Sequence, residues 1–127
     1  MVPDTTHIVK DGGLVLWRND DFIISVAEAE SIVAELRRLL EHDETAAVFV
    51  DNRNAGGAWP ADVNEVWAEL MGDLYEQGVR CATVSPNVTN AMQINRLATD
   101  AGMDDAIKAF DPDGYQDAVD FVRAAIE

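Results

Sequence analysis

The chain has 127 residues, the length of one ordinary domain, long enough to bury a core without disulfides or metal. Its 24 acidic residues against 9 basic give a formal net charge of -15, which repels phosphate backbones and anionic membrane surfaces and sets nucleic acid aside as a partner. It holds no run of about 18 apolar residues of the kind that crosses a membrane, and "MVPDTTHIVKD" at its start lacks the basic region and apolar stretch of a signal peptide.

In chain order, "HIVKDGGLVLWR" predicts two short strands around a tight turn. Asp11-Gly12-Gly13 supplies residues that tolerate positive φ. Asn19-Asp20-Asp21 predicts a second turn, and Phe22 to Ile24 a further strand end. Ser25 then opens a helix. Glu28, three residues on, has the spacing of a capping box. Val26, Ala29, Ile32, Val33, Leu36, Leu39 and Leu40 recur at helical spacing, and the helix stops near Glu41-His42-Asp43.

"AAVFVD" is an apolar run ending in Asp51, the pattern of a strand buried on both faces of a parallel sheet. After a loop, Pro60 suits the first turn of a second helix, where its missing N–H has no partner anyway. Asp62 and Glu65 favour that N-terminus through the helix dipole. Val63, Val66, Trp67, Leu70, Met71 and Leu74 make the apolar stripe, and Gly78 is a natural C-terminal glycine. "VRCATVS" predicts another buried strand. Ser85-Pro86 reads as a cap and first helical residue of a third helix that Gly102 stops. "AIKAF" is the last strand. Asp113 with Gln116 suggests a capping box before a final helix, "YQDAVDFVRAAI".

The order is thus β-β-α-β-α-β-α-β-α. Strands alternating with helices predict an α/β fold with a mixed, largely parallel β-sheet and helices packed on it, in a single domain over 1–127. Cys81, the only cysteine, sits in an apolar run and reads as a small buried hydrophobe, so a reducing cytoplasm is the expected setting. Lys10 and Lys108 are the only lysines. An acidic, lysine-poor composition points to a salt-filled cytoplasm, where self-repulsion is screened.

From Gly78 onward the chain carries "GVRCATVSPNV", then "LATDAGMDDAIKAFD", then a helix with "DA". With the early strand pair, the capped helix and the strand ending in Asp51, this pattern resembles the STAS domain, the SpoIIAA-like family of anti-sigma-factor antagonists. The resemblance runs from about Leu14 to the end. It implies the STAS-like fold and a non-enzymatic, regulatory binding module whose partner is a protein, an anti-sigma-type kinase among the candidates. It implies no cofactor, and it leaves the oligomeric state open, a homodimer included. The family pattern also carries a phosphorylated serine or threonine at the start of the helix after the third strand. Here Asp51 matches the strand-ending Asp, but no Ser or Thr stands between Thr45 and Thr83. Asp62 lies close to where the acceptor would fall; one carboxylate imitates a phosphate dianion poorly, and an acid in a first helical turn is ordinary capping.

The stretch "DNRNAGGAWPAD" is the candidate partner- or ligand-binding loop, with Asp51, Asn52, Arg53, Asn54, Gly56, Gly57, Trp59 and Asp62 as its residues. It leaves the C-terminal end of a buried strand, where open α/β sheets place ligands. Gly56-Gly57 and Arg53 ahead of a helix have elements of an anion cradle, but neither the dinucleotide nor the Walker spacing is present. Trp59 is either packed against the following helix or an exposed anchor. His7 and His42 stand far apart, and Asp104-Asp105 and Asp111/Asp113 fall at turns, so no metal site and no catalytic set is expected. Three readings differ in what they require. A partner module needs an exposed apolar-aromatic patch around Trp59 and the second helix, a small-ligand or lipid carrier of CRAL-TRIO-like shape needs an enclosed apolar cavity, and an enzyme needs polar groups converging in a cleft.

Overall fold

The computed structural model describes residues 2–42, 45–56 and 59–126. Two strands, β1 (Thr6–Asp11) and β2 (Leu14–Asn19), form an antiparallel hairpin. Gly12 takes φ +59, the left-handed conformation that the tight turn asks of a glycine. Helix α1 (Val26–His42) then leads to β3 (Ala47–Asp51), α2 (Ala61–Glu76) to β4 (Arg80–Val84), and α3 (Val88–Asp100) to β5 (Ile107–Phe110). A 3-10 turn at Pro112–Gly114 precedes α4 (Tyr115–Ile126). The sheet order is β1-β2-β3-β4-β5, with every pair after the first parallel. The mixed, largely parallel α/β sheet and the element order agree with the sequence reading.

Local chemistry explains the element ends. Ser25 Oγ accepts from the Glu28 N–H while Glu28 Oε1 accepts from the Ser25 N–H, a closed capping box at the start of α1. Three expectations need correction. Phe22 to Ile24 adds no strand; only Asp21 makes an isolated parallel bridge, to Gly56. Helix α3 is capped by Asn87, whose side chain accepts from the Asn90 N–H over 2.8 Å, not by Ser85. Asp113 forms no capping box; Asp111 caps the 3-10 turn through the Gly114 N–H at 2.9 Å, and Gln116 donates instead to Asp120.

The sheet separates two apolar layers. On one side α1 and α2 pack over Val15, Trp17, Val48, Val50 and Cys81, with Ile32, Leu36, Val63, Trp67, Leu70 and Leu74 as their contribution. On the other, α4 covers β3 and β4, setting Ala118 and Val122 on Ala47, Phe49, Ala82 and Val84. Strand β3 is buried from Ala47 to Val50, which is why it reads as an unbroken apolar run.

Candidate functional site

The loop after β3 is built from its first residue upward. Asn52 continues the ladder by donating its N–H to Val84 O over 2.9 Å, and its own carbonyl accepts from the Ala55 N–H, closing a tight turn. Its side chain points into the protein and is buried. There Asn52 Oδ1 accepts from Asn19 Nδ2 over 2.9 Å. The Asn19 Oδ1 accepts in turn from Thr6 Oγ1 and Trp17 Nε1, each over 3.0 Å. Thr6, Asn19 and Asn52 thus make a buried polar strip running from β1 through β2 to the residue after β3, joined through the Asn19 amide. The sequence reading named Asn52 and missed Asn19, which stands inside what looked like a plain turn signal.

Asp51 and Arg53 face the other way. The Arg53 side chain donates to Asp51 Oδ1 and Oδ2 over 3.0 and 2.9 Å, a bidentate pair. The guanidinium also lies 4.1 Å above the centre of the Tyr115 ring on α4. The bond to Asp51 raises the Arg53 pKa above its ordinary value, with burial opposing. Arg53 is therefore committed to an internal carboxylate and is not held ready for an anion, which removes the main support for a phosphate cradle. Gly57 lies outside the described residues. Asn54 and Gly56 are exposed. Asp62 sits in the first turn of α2, where its Oδ1 accepts from the Val63 N–H over 3.0 Å, so its carboxylate serves the helix terminus. Pro60 occupies the capping position just before α2.

Trp59 is partly buried and joins the core. Its ring lies 4.4 Å from that of Phe22 and 5.2 Å, edge to face, from that of Trp67; Trp67 in turn meets Trp17 at 5.1 Å. The packed alternative thus describes Trp59 better than the exposed anchor. The exposed apolar group is a neighbour. The segment before α1 runs beside the loop, with the Phe22 N–H donating to Gly56 O over 3.1 Å. Phe22 and Ile24 are buried, while Ile23 between them is 70% exposed. The Ile23 N–H is held by Asp21 Oδ1 at 2.9 Å, which fixes the ledge that presents the side chain. An apolar "FII" run gave no warning that its middle residue faces water.

Two polar atoms are buried without a hydrogen-bond partner among the described residues, Ser85 Oγ and Trp67 Nε1. Elsewhere, an open groove of about 640 Å³ lies at the opposite end of the strands, lined by Tyr75, Glu76, Arg80 and Asp105. It is open, and its lining is mixed, with Ala46, Gly78, Ala106 and Ala125 beside those polar groups. Among the described residues no group of three or more His, Cys, Asp or Glu side chains is placed to hold a metal ion, and no helix is long and apolar enough to cross a membrane.

No protein-family model and no curated protein matches the chain. Among solved structures the chain is similar to the anti-sigma factor antagonist SpoIIAA in its unphosphorylated form. The TM-score is 0.64 at 12% sequence identity, over 96% of this chain and 99% of that one. At that identity the likeness is one of architecture alone: the chain has the SpoIIAA-like, STAS-type fold.

Proposed function

We propose that this chain is a regulatory binding module that acts on a protein partner without catalysis, in the manner of anti-sigma-factor antagonists but without a phosphoacceptor in the loop after β3. The observation that carries the reading is the double ledge at the C-terminal edge of the sheet. The loop from Asp51 to Asp62 and the segment from Asp20 to Ile24 are tied together at Gly56 and at Trp59, and they present Ile23 to solvent. A fixed apolar residue on a rigid rim is the form in which interfaces concentrate binding energy. Where a switch of this fold would carry a hydroxyl, this chain has none from Ala46 to Ala82, so its binding state is constitutive with respect to phosphorylation there.

The carrier reading draws less support, because the groove at the far end of the strands is open, and a lipid needs an enclosed apolar chamber. An enzyme would need convergent groups, whereas Arg53 and Asp51 neutralise each other.

The test uses the kinase-like ATPases encoded in the source genome, purified and titrated with the chain by calorimetry. At least one should bind, Ile23→Asp should weaken that binding by about 2 kcal/mol or more, and mass spectrometry after incubation with Mg-ATP should find no phosphate on any residue from Ala46 to Ala82, Tyr75 included. Failure of all of these ATPases to bind would overturn the proposal.

A further inference from the structure

Arg80, the first residue of β4, differs from the other arginines of the chain. Every other one is exposed, and four of them sit on carboxylates: Arg18 on Asp20, Arg37 on Asp73, Arg38 on Glu35 and Arg53 on Asp51. Arg80 is half-buried, and among the described residues no carboxylate pairs with it. Its Nη1 donates instead to Phe121 O over 3.1 Å, and its guanidinium lies 4.7 Å from the centre of the Phe121 ring. These contacts hold the group in place without neutralising it, and they leave most of its N–H donors uncommitted. A chain with 24 acidic residues thus keeps one positioned cation that no acid meets.

Arg80 lines the groove of about 640 Å³ at the strand ends opposite the ledge, a volume within the range of about 300–1,000 Å³ that small-molecule sites occupy. Two acids line it too, Glu76 from the last turn of α2 and Asp105 from the turn before β5. Both are exposed, and neither forms an ion pair among the described residues. Helix α2 ends at this groove with no base in its last turn, so its dipole adds to the attraction for a cation there. The groove therefore offers one fixed positive group and two negative ones, over a lining of small residues and the Tyr75 ring.

We propose that this groove binds a free basic α-amino acid, of the lysine or arginine class. The charge pattern selects it. The α-carboxylate pairs with the Arg80 guanidinium, which suits a bidentate contact. The α-ammonium and the side-chain cation answer Glu76 and Asp105, and the aliphatic stem lies along Tyr75 and the small residues. Other small ligands leave a charge unanswered. A simple carboxylate meets two acids on a chain of formal charge -15, a diamine leaves Arg80 without a partner, and a neutral amino acid leaves one acid unmatched. The groove is open, so the charges stay partly hydrated, and the dissociation constant is on the order of 1 mM. The site lies at the far end of the strands from Ile23 and does not rest on the partner-binding reading.

Nuclear magnetic resonance of the isotopically labelled full chain tests this, with L-lysine as the probe and each step compared with KCl of equal ionic strength. L-Lysine should give saturable amide shifts at Tyr75, Gly78, Arg80 and Ala106 and none at Ile23, and L-arginine should do the same. Cadaverine, which is lysine without its carboxylate, should bind at least about fivefold more weakly, and L-glutamate should leave those amides unmoved. Arg80→Gln should remove the advantage of lysine over cadaverine. Glu76→Gln combined with Asp105→Asn, both exposed and so harmless to the fold, should weaken lysine binding at least about tenfold. No saturable shift at these amides with either L-lysine or L-arginine overturns the proposal. So does cadaverine binding the wild type as tightly as lysine does, or lysine binding that survives the loss of both carboxylates.

Discussion

Asn52, the first residue of the loop, and Trp59, near its end, are both held by one residue of β2. Asn52 reaches Trp17 through the Asn19 amide, which accepts from Trp17 Nε1 and donates to Asn52. Trp59 reaches it through the edge-to-face contacts of Trp67. The two ends of the loop thus converge on a buried indole that touches both the polar and the aromatic support. Both Asn52 and Trp59 are thus anchored on the core, and groups held in place before binding lose less freedom when a partner arrives.

The polar half of that support can be tested directly. Replacing Asn19 with Ala removes the acceptor of Thr6 Oγ1 and Trp17 Nε1 and the donor to Asn52 Oδ1. Each buried group left unmatched costs about 1–3 kcal/mol, so Asn19→Ala should lose about 3 kcal/mol or more in urea unfolding. Asn19→Leu combined with Asn52→Leu should cost less than the sum of the two single changes, because neither residue then strands the other. Additive losses would mean that the two amides do not act as a pair.

The aromatic half predicts a contrast between neighbours. Trp59→Ala opens space between Phe22 and Trp67 and should cost about 2–4 kcal/mol, somewhat below a fully buried tryptophan. Ile23→Ala should stay within about 0.5 kcal/mol, as exposed positions do. Ile23 carries the binding role proposed here and Trp59 the structural one, so equal melting shifts for the two variants would contradict that division.

The sequence made the fold legible because each signal was local. Ser25 with Glu28 marks a helix start, "AAVFVD" has the apolar continuity that two covered faces require, and Gly78 and Gly102 take the positive φ that ends a helix. The loop was legible as a location, since it follows a buried parallel strand. Its organisation was not. Asn19 and Asn52 are 33 residues apart and pair only because β2 and β3 are adjacent in register, a relation no window of sequence contains. Ser85 before Pro86 had the right chemistry for a cap, yet the chain takes two more residues to turn, and Asn87 does that work. Ile23 was not singled out for a related reason: within an apolar run nothing local marks which residue faces water, and the exposed isoleucine is visible only once Phe22 and Ile24 are seen to be buried on either side.

Cys81 gives a pH prediction. Burial pushes its thiol up to about 12, with a bond from Thr83 acting slightly the other way. The unfolded chain would release that proton near the ordinary thiol value of about 8.5. The native state therefore holds the proton more tightly, and its stability is intact below about 8.5 and declines as pH rises toward about 12. Cys81→Ala should flatten that part of the decline. The native thiol should also resist an aromatic disulfide reagent at neutral pH and react only on unfolding; prompt reaction in native buffer would show that it is not sealed.

The last prediction concerns salt and the stability of the single chain. With -15 formal charges on 127 residues, folding brings carboxylates closer together than they are in the expanded chain. The cost is electrostatic and acts through water. The exposed acids of α2, Asp62, Glu65, Glu69 and Glu76, follow one another along a helix that has no basic residue, and among the described residues only Asp73 of that helix is matched across to α1, by Arg37. Added KCl shortens the screening length from about 10 Å at 0.1 M to about 3 Å at 1 M, below the spacing of most of these groups. The melting temperature should therefore rise with KCl, steeply at low concentration and then more slowly. Glu69→Lys should raise it in dilute buffer by relieving the repulsion, and that gain should shrink toward zero in molar KCl. A melting temperature that is flat across the salt range, or a Glu69→Lys gain that persists in molar KCl, would show that self-repulsion does not limit the stability of this fold.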